Sequence, residues 1–292
     1  MDHRFIILGA GGQLGREWVQ QLVMHDEQVH AYTFQDLDIS DSDALERILD
    51  HVQPTVLVNC AAYTKVDQAE SEPEQARLIN TIVPGRIAAI CRERDILLVH
   101  YSTDYVFGGT HDDRLQYPKG FSEDHPAHPI NVYGETKWDG ERLIQASGCK
   151  YLIIRTSWLC GRYGHNFVKT MMRLSSQNES VKVVNDQFGA PSFADHIVMN
   201  SLALIKAYQT GVYHLSSLGM CSWDEFASEI FRQSGTKTLV DSIPSSEYVT
   251  KARRPEYSLL NCDKASMVDG ISLEPWEHGL SRLMEQMHLE QA

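Results

Sequence analysis

A chain of 292 residues, 42% hydrophobic and 22% charged, has the balance of a folded soluble protein with room for one large core and a smaller one. Its net charge of -13 argues against nucleic acid or an anionic membrane as a partner, since both would be repelled overall. The six cysteines form no C-x-x-C pair or metal-like spacing, and no apolar run reaches the ~20 residues of a spanning helix, so free thiols and a cytoplasmic setting are expected.

The first element, from Met1 to Gly9, is a short strand pattern rather than a leader, with the continuous apolar run Phe5-Ile6-Ile7-Leu8 suited to burial on both faces. Gly9, Gly12 and Gly15 follow as G-x-x-G-x-x-G and open a helix carrying Trp18, Val19 and Leu22. Strand, glycine turn and helix in that order form a dinucleotide cradle: the turn brings backbone close to a pyrophosphate, and the helix N-terminus faces it. A second strand is expected over Gln28–Thr33. It ends without an acid for a ribose hydroxyl, because Asp36 and Asp38 come late, while Arg16 is placed to meet a 2′-phosphate. The expected cofactor is therefore NADPH, with NADH also accepted.

A helix over Asp41–Val52, capped by Ser40 or Asp41, leads to a strand at Thr55–Asn59. A helical stretch over Glu74–Arg94, bent or interrupted near Pro84, precedes the strand Ile96–His100. A helix over Val132–Ser147 and the strand Tyr151–Arg155 complete the alternation. Later come short strands at Val181–Val184 and Val212–Leu215, and helices near Phe193–Tyr208, Trp223–Gln233 and Pro275–Met287. The rhythm predicts an α/β fold: a Rossmann-type doubly wound parallel sheet with a smaller C-terminal substrate-binding lobe. The division expected is a dinucleotide-binding domain at 1–180, rejoined by segments from about 190–219, and a lobe at 220–292 with a loosely defined boundary.

The chemistry gathers on the helix from Val132. Tyr133 and Lys137 share one face, with Cβ atoms roughly 5–6 Å apart. A cation there is expected to lower the phenol's pKa by favouring phenolate. With the hydroxyl of Thr103 upstream, the group can protonate a carbonyl oxygen as a hydride arrives. His125 and His128 lack further spaced ligands and read as a surface loop, so no metal site is expected.

The strings NCAAYTKVDQAESEPE (59–74), HYSTDYVFGG (100–109), NVYGETK (131–137) and RTSWL (155–159) resemble the extended short-chain dehydrogenase/reductases. NFVKTMMRL (166–174), VVNDQFGAPS (183–192) and ARRP (252–255) narrow the resemblance to their dTDP-4-dehydrorhamnose reductase family, almost end to end. The resemblance implies reduction of the C4 ketone of dTDP-4-dehydro-6-deoxy-L-mannose to dTDP-L-rhamnose, a precursor of cell-surface polysaccharide. It implies a catalytic triad of Thr103, Tyr133 and Lys137. Gly12, Gln13 and Leu14 would touch the pyrophosphate, and Asp38 and Ile39 the adenosine. Ala62, Tyr63 and Thr64 would line the cofactor path, with Tyr101 near the nicotinamide. Asp104 and Trp158 would hold the sugar, and Asn166 and Arg254 the nucleotide and its diphosphate. Some relatives dimerise through acidic residues around Mg²⁺. Glu17 and Asp195 stand in comparable places, with Asp where a Glu is expected, so a homodimer and Mg²⁺ stay open and metal is not expected. Another nucleotide-sugar 4-ketoreductase, an epimerase or 4,6-dehydratase, or a non-catalytic regulatory subunit on the same fold, remain as alternatives. Against a dehydratase, Asp104 is followed by Tyr105 and not by a second acid.

Overall fold

Alternating large apolar residues build a sheet that is covered on both sides. The computed structural model describes residues 3–289; Met1, Asp2 and residues 290–292, at the ends of the expected domains, lie outside the described residues. Strands β1 (Arg4–Leu8), β2 (Gln28–Tyr32), β3 (Val56–Asn59), β4 (Leu97–Thr103), β5 (Tyr151–Thr156) and β6 (Gly211–His214) run parallel in the order β6-β5-β4-β3-β1-β2. The order reverses between β1 and β3, which opens a crevice beyond the strand ends where ligands bind in such sheets.

On one face Phe5, Ile7, Val58, Val99 and Tyr101 pack on α1 (Gln13–Met24) through Trp18 and Leu22. On the other, Ile6, Leu8, Leu57, Leu98 and Ile153 meet α2 (Ser42–Val52) and α3 (Val83–Glu93). Asp41 caps α2 by accepting the Ala44 N–H at 2.9 Å. The break expected near Pro84 is a π-helical turn at Leu78–Ile82 that runs straight into α3, with Pro84 as the second residue of α3.

Helix α4 (Val132–Ala146) lies close to this π turn. A Cβ on Gly140 would stand 2.1 Å from the Asn80 carbonyl oxygen, so only glycine permits the approach. The Asn80 amide accepts from the Tyr63 N–H at 2.8 Å and donates to the Tyr63 carbonyl at 3.0 Å and to Thr136 Oγ1 at 3.2 Å. One side chain thus joins the loop after β3 to α4.

A second core forms from α5 (Phe167–Ser175), α7 (Trp223–Ser234), α8 (Trp276–Leu289) and the parallel strand pair Ser180–Val184 and Leu239–Ile243. Helix α6 (Ala194–Lys206) returns to the main sheet beside α1. Sequence pattern did not announce α5 or the strand Leu239–Ile243. The first interleaves Lys169 and Arg173 with its apolar residues, and the second is polar and mostly exposed. All six cysteines are free thiols, five of them buried. Among the described residues no helix is long and apolar enough to cross a membrane.

Candidate active site

Backbone shape prepares the glycine turn. Gly9 has φ +73°, and a Cβ there would lie 2.7 Å from the Ala61 nitrogen; one on Gly15 would lie 2.3 Å from the Gly9 carbonyl. Both positions therefore demand glycine. Gly12 caps α1 without a side chain, which leaves the helix N-terminus open toward the crevice between β1 and β3. These features fit a dinucleotide's phosphates. Leu14 is buried beneath the turn, and Ala62 and Tyr63 line the facing loop with Thr64 exposed.

At the adenosine end Asp38 accepts from the Ser40 N–H at 2.9 Å and hydroxyl at 2.7 Å, and these bonds hold its carboxyl below the usual range. Asp36 is tied to Thr33 in the same way, while Ile39 packs against the α2–α3 core. Arg16 is exposed, its guanidinium 5.8 Å from the Tyr163 ring.

The catalytic candidates meet where β4 ends and α4 begins. Asn131 starts α4 by accepting the Gly134 N–H at 2.8 Å. A Cβ on Gly134 would lie 2.2 Å from the Tyr105 carbonyl, so glycine lets the helix sit directly on the turn after Thr103. Tyr133 meets Tyr105 edge to face at 5.8 Å. Burial pushes its phenol up to about 12, the neighbouring Thr103 hydroxyl pulls the other way, and the Asp104 carboxyl adds to the rise. The expected lowering by Lys137 is not found. The Lys137 ammonium, 2% exposed, turns instead to the Tyr101 carbonyl at 2.5 Å and His100 Nε2 at 3.2 Å. Burial brings Lys137 itself down to about 8, against the pull of Glu141 and Cys60.

Asp104 lies buried beside Thr103, which donates to its Oδ1 at 3.1 Å, while Oδ2 has no hydrogen-bond partner among the described residues. Burial raises its carboxyl to about 7, so the fold binds this proton more tightly than the unfolded chain does. The stability it contributes is present at low pH and is lost as pH climbs from the ordinary carboxylate range through about 7. Asp104→Asn should therefore gain melting temperature relative to the parent between about pH 5.5 and about pH 8. Parallel profiles of melting temperature against pH across that range would show that the Asp104 carboxyl is not raised in the fold.

Three expected contacts are placed differently. Tyr101 faces α1 and α6, because strand residues alternate; its hydroxyl accepts from Trp18 at 2.8 Å and bonds Ser201 at 2.7 Å, so only its carbonyl reaches the site. Asn166 caps α5 and donates to Gln13 Oε1 at 2.8 Å, which joins a nucleotide candidate to a pyrophosphate candidate. Gln13 in turn donates to the Leu159 carbonyl at 3.0 Å. Arg254 is held by Asp67 at 2.7 Å, a partner the sequence did not suggest.

Arg254 also borders a cavity of about 630 Å³ lined by Phe167, Gln187, Trp223, Tyr248 and Arg253. Trp158 stacks on Trp223 with centroids 3.6 Å apart, and its φ of +44° is a strained backbone state for a tryptophan. Gly189 leaves room for that indole, since a Cβ there would lie 2.9 Å from it. Trp223 was missed in the sequence because it opens a helix that reads as ordinary core. Glu17 pairs with Arg162 at 3.2 Å and Asp195 with Arg282 at 2.6 Å. His125 and His128 lie in the loop that was expected, His128 exposed and His125 half-buried among the rings of Phe107, Tyr117 and Phe121. No cluster of three metal-ligating side chains occurs among the described residues.

A family model described as the RmlD substrate binding domain matches residues 3–289. The chain is 37% identical over 283 residues to the spore coat polysaccharide biosynthesis protein SpsK of Bacillus subtilis, covering 97% of each. It is 37% identical over 299 residues to dTDP-4-dehydrorhamnose reductase of Salmonella typhimurium, again 97% of each. The crystal structure of a dTDP-4-dehydrorhamnose reductase from Bacillus anthracis in complex with NADP superposes with a TM-score of 0.92 at 38% identity, covering 98% of this chain and 100% of that one. With the glycine turn, the Thr103–Tyr133–Lys137 group and these full-length matches together, the chain belongs to the dTDP-4-dehydrorhamnose reductase family of the extended short-chain dehydrogenase/reductases.

Proposed function

We propose that this chain reduces the C4 ketone of dTDP-4-dehydro-6-deoxy-L-mannose to dTDP-L-rhamnose, with NADPH as the preferred reductant and NADH also accepted. The observation that carries the reading is the convergence of Thr103, Tyr133 and Lys137 at the end of β4, beside the glycine turn. A bound nicotinamide supplies a hydride to the ketone carbon. Tyr133, whose phenol stays protonated at neutral pH, gives its proton to the oxygen where charge develops. Thr103 turns its one O–H from Asp104 Oδ1 to that oxygen and gives it a second hydrogen bond. One reduced cofactor and one proton are consumed for each alcohol formed.

Gly9, Gly12, Gln13, Leu14 and Gly15 form the pyrophosphate cradle, with Ala62, Tyr63 and Thr64 across from it. Asp38 and Ile39 border the adenosine. Because Asp36 and Asp38 are tied into local turns, exposed Arg16 is the group free to favour a 2′-phosphate. The Asp104 carboxyl and the Trp158 indole bound the sugar, and Arg254 with Arg253 meets the diphosphate across the cavity beside Trp223. Asn166 acts on the nucleotide through its bond to Gln13. The dinucleotide-binding part comprises the main sheet with 190–219, and α5 and its following strand join 220–292 in the substrate lobe. The enzyme works in the cytoplasm, and a homodimer would form without metal, since Glu17 and Asp195 are already neutralised by arginines.

The test mixes purified protein, reduced cofactor and the 4-keto sugar nucleotide, and follows the loss of reduced-nicotinamide absorbance. One cofactor oxidised per sugar reduced is the expected result. Sugar isomerised without net oxidation would indicate an epimerase, and no change in either would indicate a regulatory subunit.

A further inference from the structure

The bond between Asp67 and Arg254 joins the loop region after β3 to the substrate lobe, and its geometry leaves part of the arginine unspent. A guanidinium carries five N–H groups in one plane. Nη1 and Nη2 of Arg254 donate end-on to Asp67, to Oδ1 at 3.2 Å and Oδ2 at 2.7 Å, and Nη1 donates again to the Ala252 carbonyl at 3.0 Å. The two groups that remain, on Nε and on the neighbouring side of Nη2, point the same way and have no acceptor among the described residues. Such a parallel pair matches two oxygens of one phosphate.

Asp67 grips the guanidinium from outside the substrate cavity. Arg254 borders two hollows, the cavity of about 630 Å³ beside Trp223 and another of about 430 Å³, and Asp67 lines only the second. The loop that carries the arginine is fixed at the same place. The Ala252 N–H donates to Asp67 Oδ1 at 3.1 Å, and the Arg253 carbonyl accepts from Asn131, the cap of α4, at 2.8 Å. One turn after Asp67, Glu70 accepts the N–H of Val132, the first residue of α4, at 2.8 Å. Loop and catalytic helix therefore share one support, and the spare fork keeps a fixed place relative to Tyr133. With Asp67 44% exposed and Arg254 22%, the ion pair adds little to stability, so what it supplies is direction.

We infer that Asp67 is a positioning residue that holds Arg254 so that its Nε–Nη2 fork takes the diphosphate of the sugar nucleotide, a role that rests on the substrate class proposed above. An acid beside a phosphate-binding arginine would otherwise be a competitor: it would cancel charge that the ligand needs, and its removal would tighten binding. The two roles predict opposite signs.

Asp67→Asn separates them. The amide keeps an oxygen for the Ala252 N–H and turns a donor toward Nη2, so the loop stays anchored while the guanidinium loses its hold. Calorimetric titration of the full-length protein with dTDP should show binding about tenfold weaker than the parent's, the worth of a charge-assisted hydrogen bond, with melting temperature and NADP affinity unchanged. Arg254→Met should weaken dTDP binding at least as much. Adding Asp67→Asn to it should change the affinity no further, because Asp67 acts through the arginine. In the cofactor-oxidation assay the loss should appear in KM for the sugar nucleotide and leave kcat near the parent's, since the diphosphate does not react. Equal or tighter dTDP binding in Asp67→Asn, or additive losses in the double variant, would overturn the inference and leave the proposed reaction standing. A parent that binds dTDP but oxidises no cofactor would defeat the proposed reaction alone, and one that binds no dTDP would overturn both.

Discussion

Tyr133→Phe is expected to lower turnover by about 10²–10⁴-fold, the usual contribution of a positioned proton donor, while affinity for reduced cofactor stays close to that of the parent. The substitution removes one oxygen and leaves the ring to pack edge-on against Tyr105. Thr103 remains to hold the developing oxyanion by a single hydrogen bond. Lys137 cannot take over the proton transfer, because it points to the Tyr101 carbonyl and His100. Asp104 is the nearest alternative acid, with its carboxyl raised to about 7. Residual activity in the variant should therefore rise as pH falls through that value. Single-turnover cofactor oxidation and a cofactor fluorescence titration separate the chemical step from binding. Near-normal turnover would remove Tyr133 from the chemistry.

Glu141→Gln should cost about 3–5 kcal/mol of stability, because it leaves a buried charge without its partner. Arg155 is 2% exposed and grips Glu141 by bonds of 3.0, 3.2 and 2.7 Å. Its remaining nitrogen reaches the Glu123 carbonyl at 3.2 Å, and the cation lies over the rings of Phe107 and Trp138. Water cannot replace the carboxylate in that setting. Replacing both partners together, as in Glu141→Gln with Arg155→Met, should recover most of the loss, since the desolvated cation goes with its anion. Urea unfolding of the two single variants and the double variant measures this. A cost below about 1 kcal/mol for Glu141→Gln would mean that the guanidinium finds other partners. Glu141 stands one turn beyond Lys137 and favours its ammonium, so the same variant should also make Lys137 lose its proton more easily.

Much of the main sheet was legible because burial on both faces writes continuous apolar runs such as Phe5–Leu8 and Leu97–Val99. The Tyr133–Lys137 spacing was legible for a similar reason, since helical geometry alone places both on one face. Orientation across the sheet was not. Residue alternation separates His100 from Tyr101, but only the packing of α4 on one side and α1 on the other shows which of them meets Lys137. That is why Tyr101 looked like a cofactor contact and His100 drew no attention. Long-range pairs were hidden altogether: Arg254 and Asp67 stand 187 residues apart, and no local pattern joins them. The pKa of Tyr133 was misjudged because spacing shows nearness and says nothing of where an ammonium points.

The order of the strands also sets the order in which the sheet can be completed. By Thr156 a growing chain holds five of the six strands, but the second partner of β5 arrives only at Gly211–His214, after α5 and α6. Until then β5, with Leu152, Ile153 and Ile154, is an open hydrogen-bonding edge able to pair with another nascent chain. Synthesis thus passes through an interval in which the half-made protein is adhesive, and β6 is the late-arriving strand that ends it.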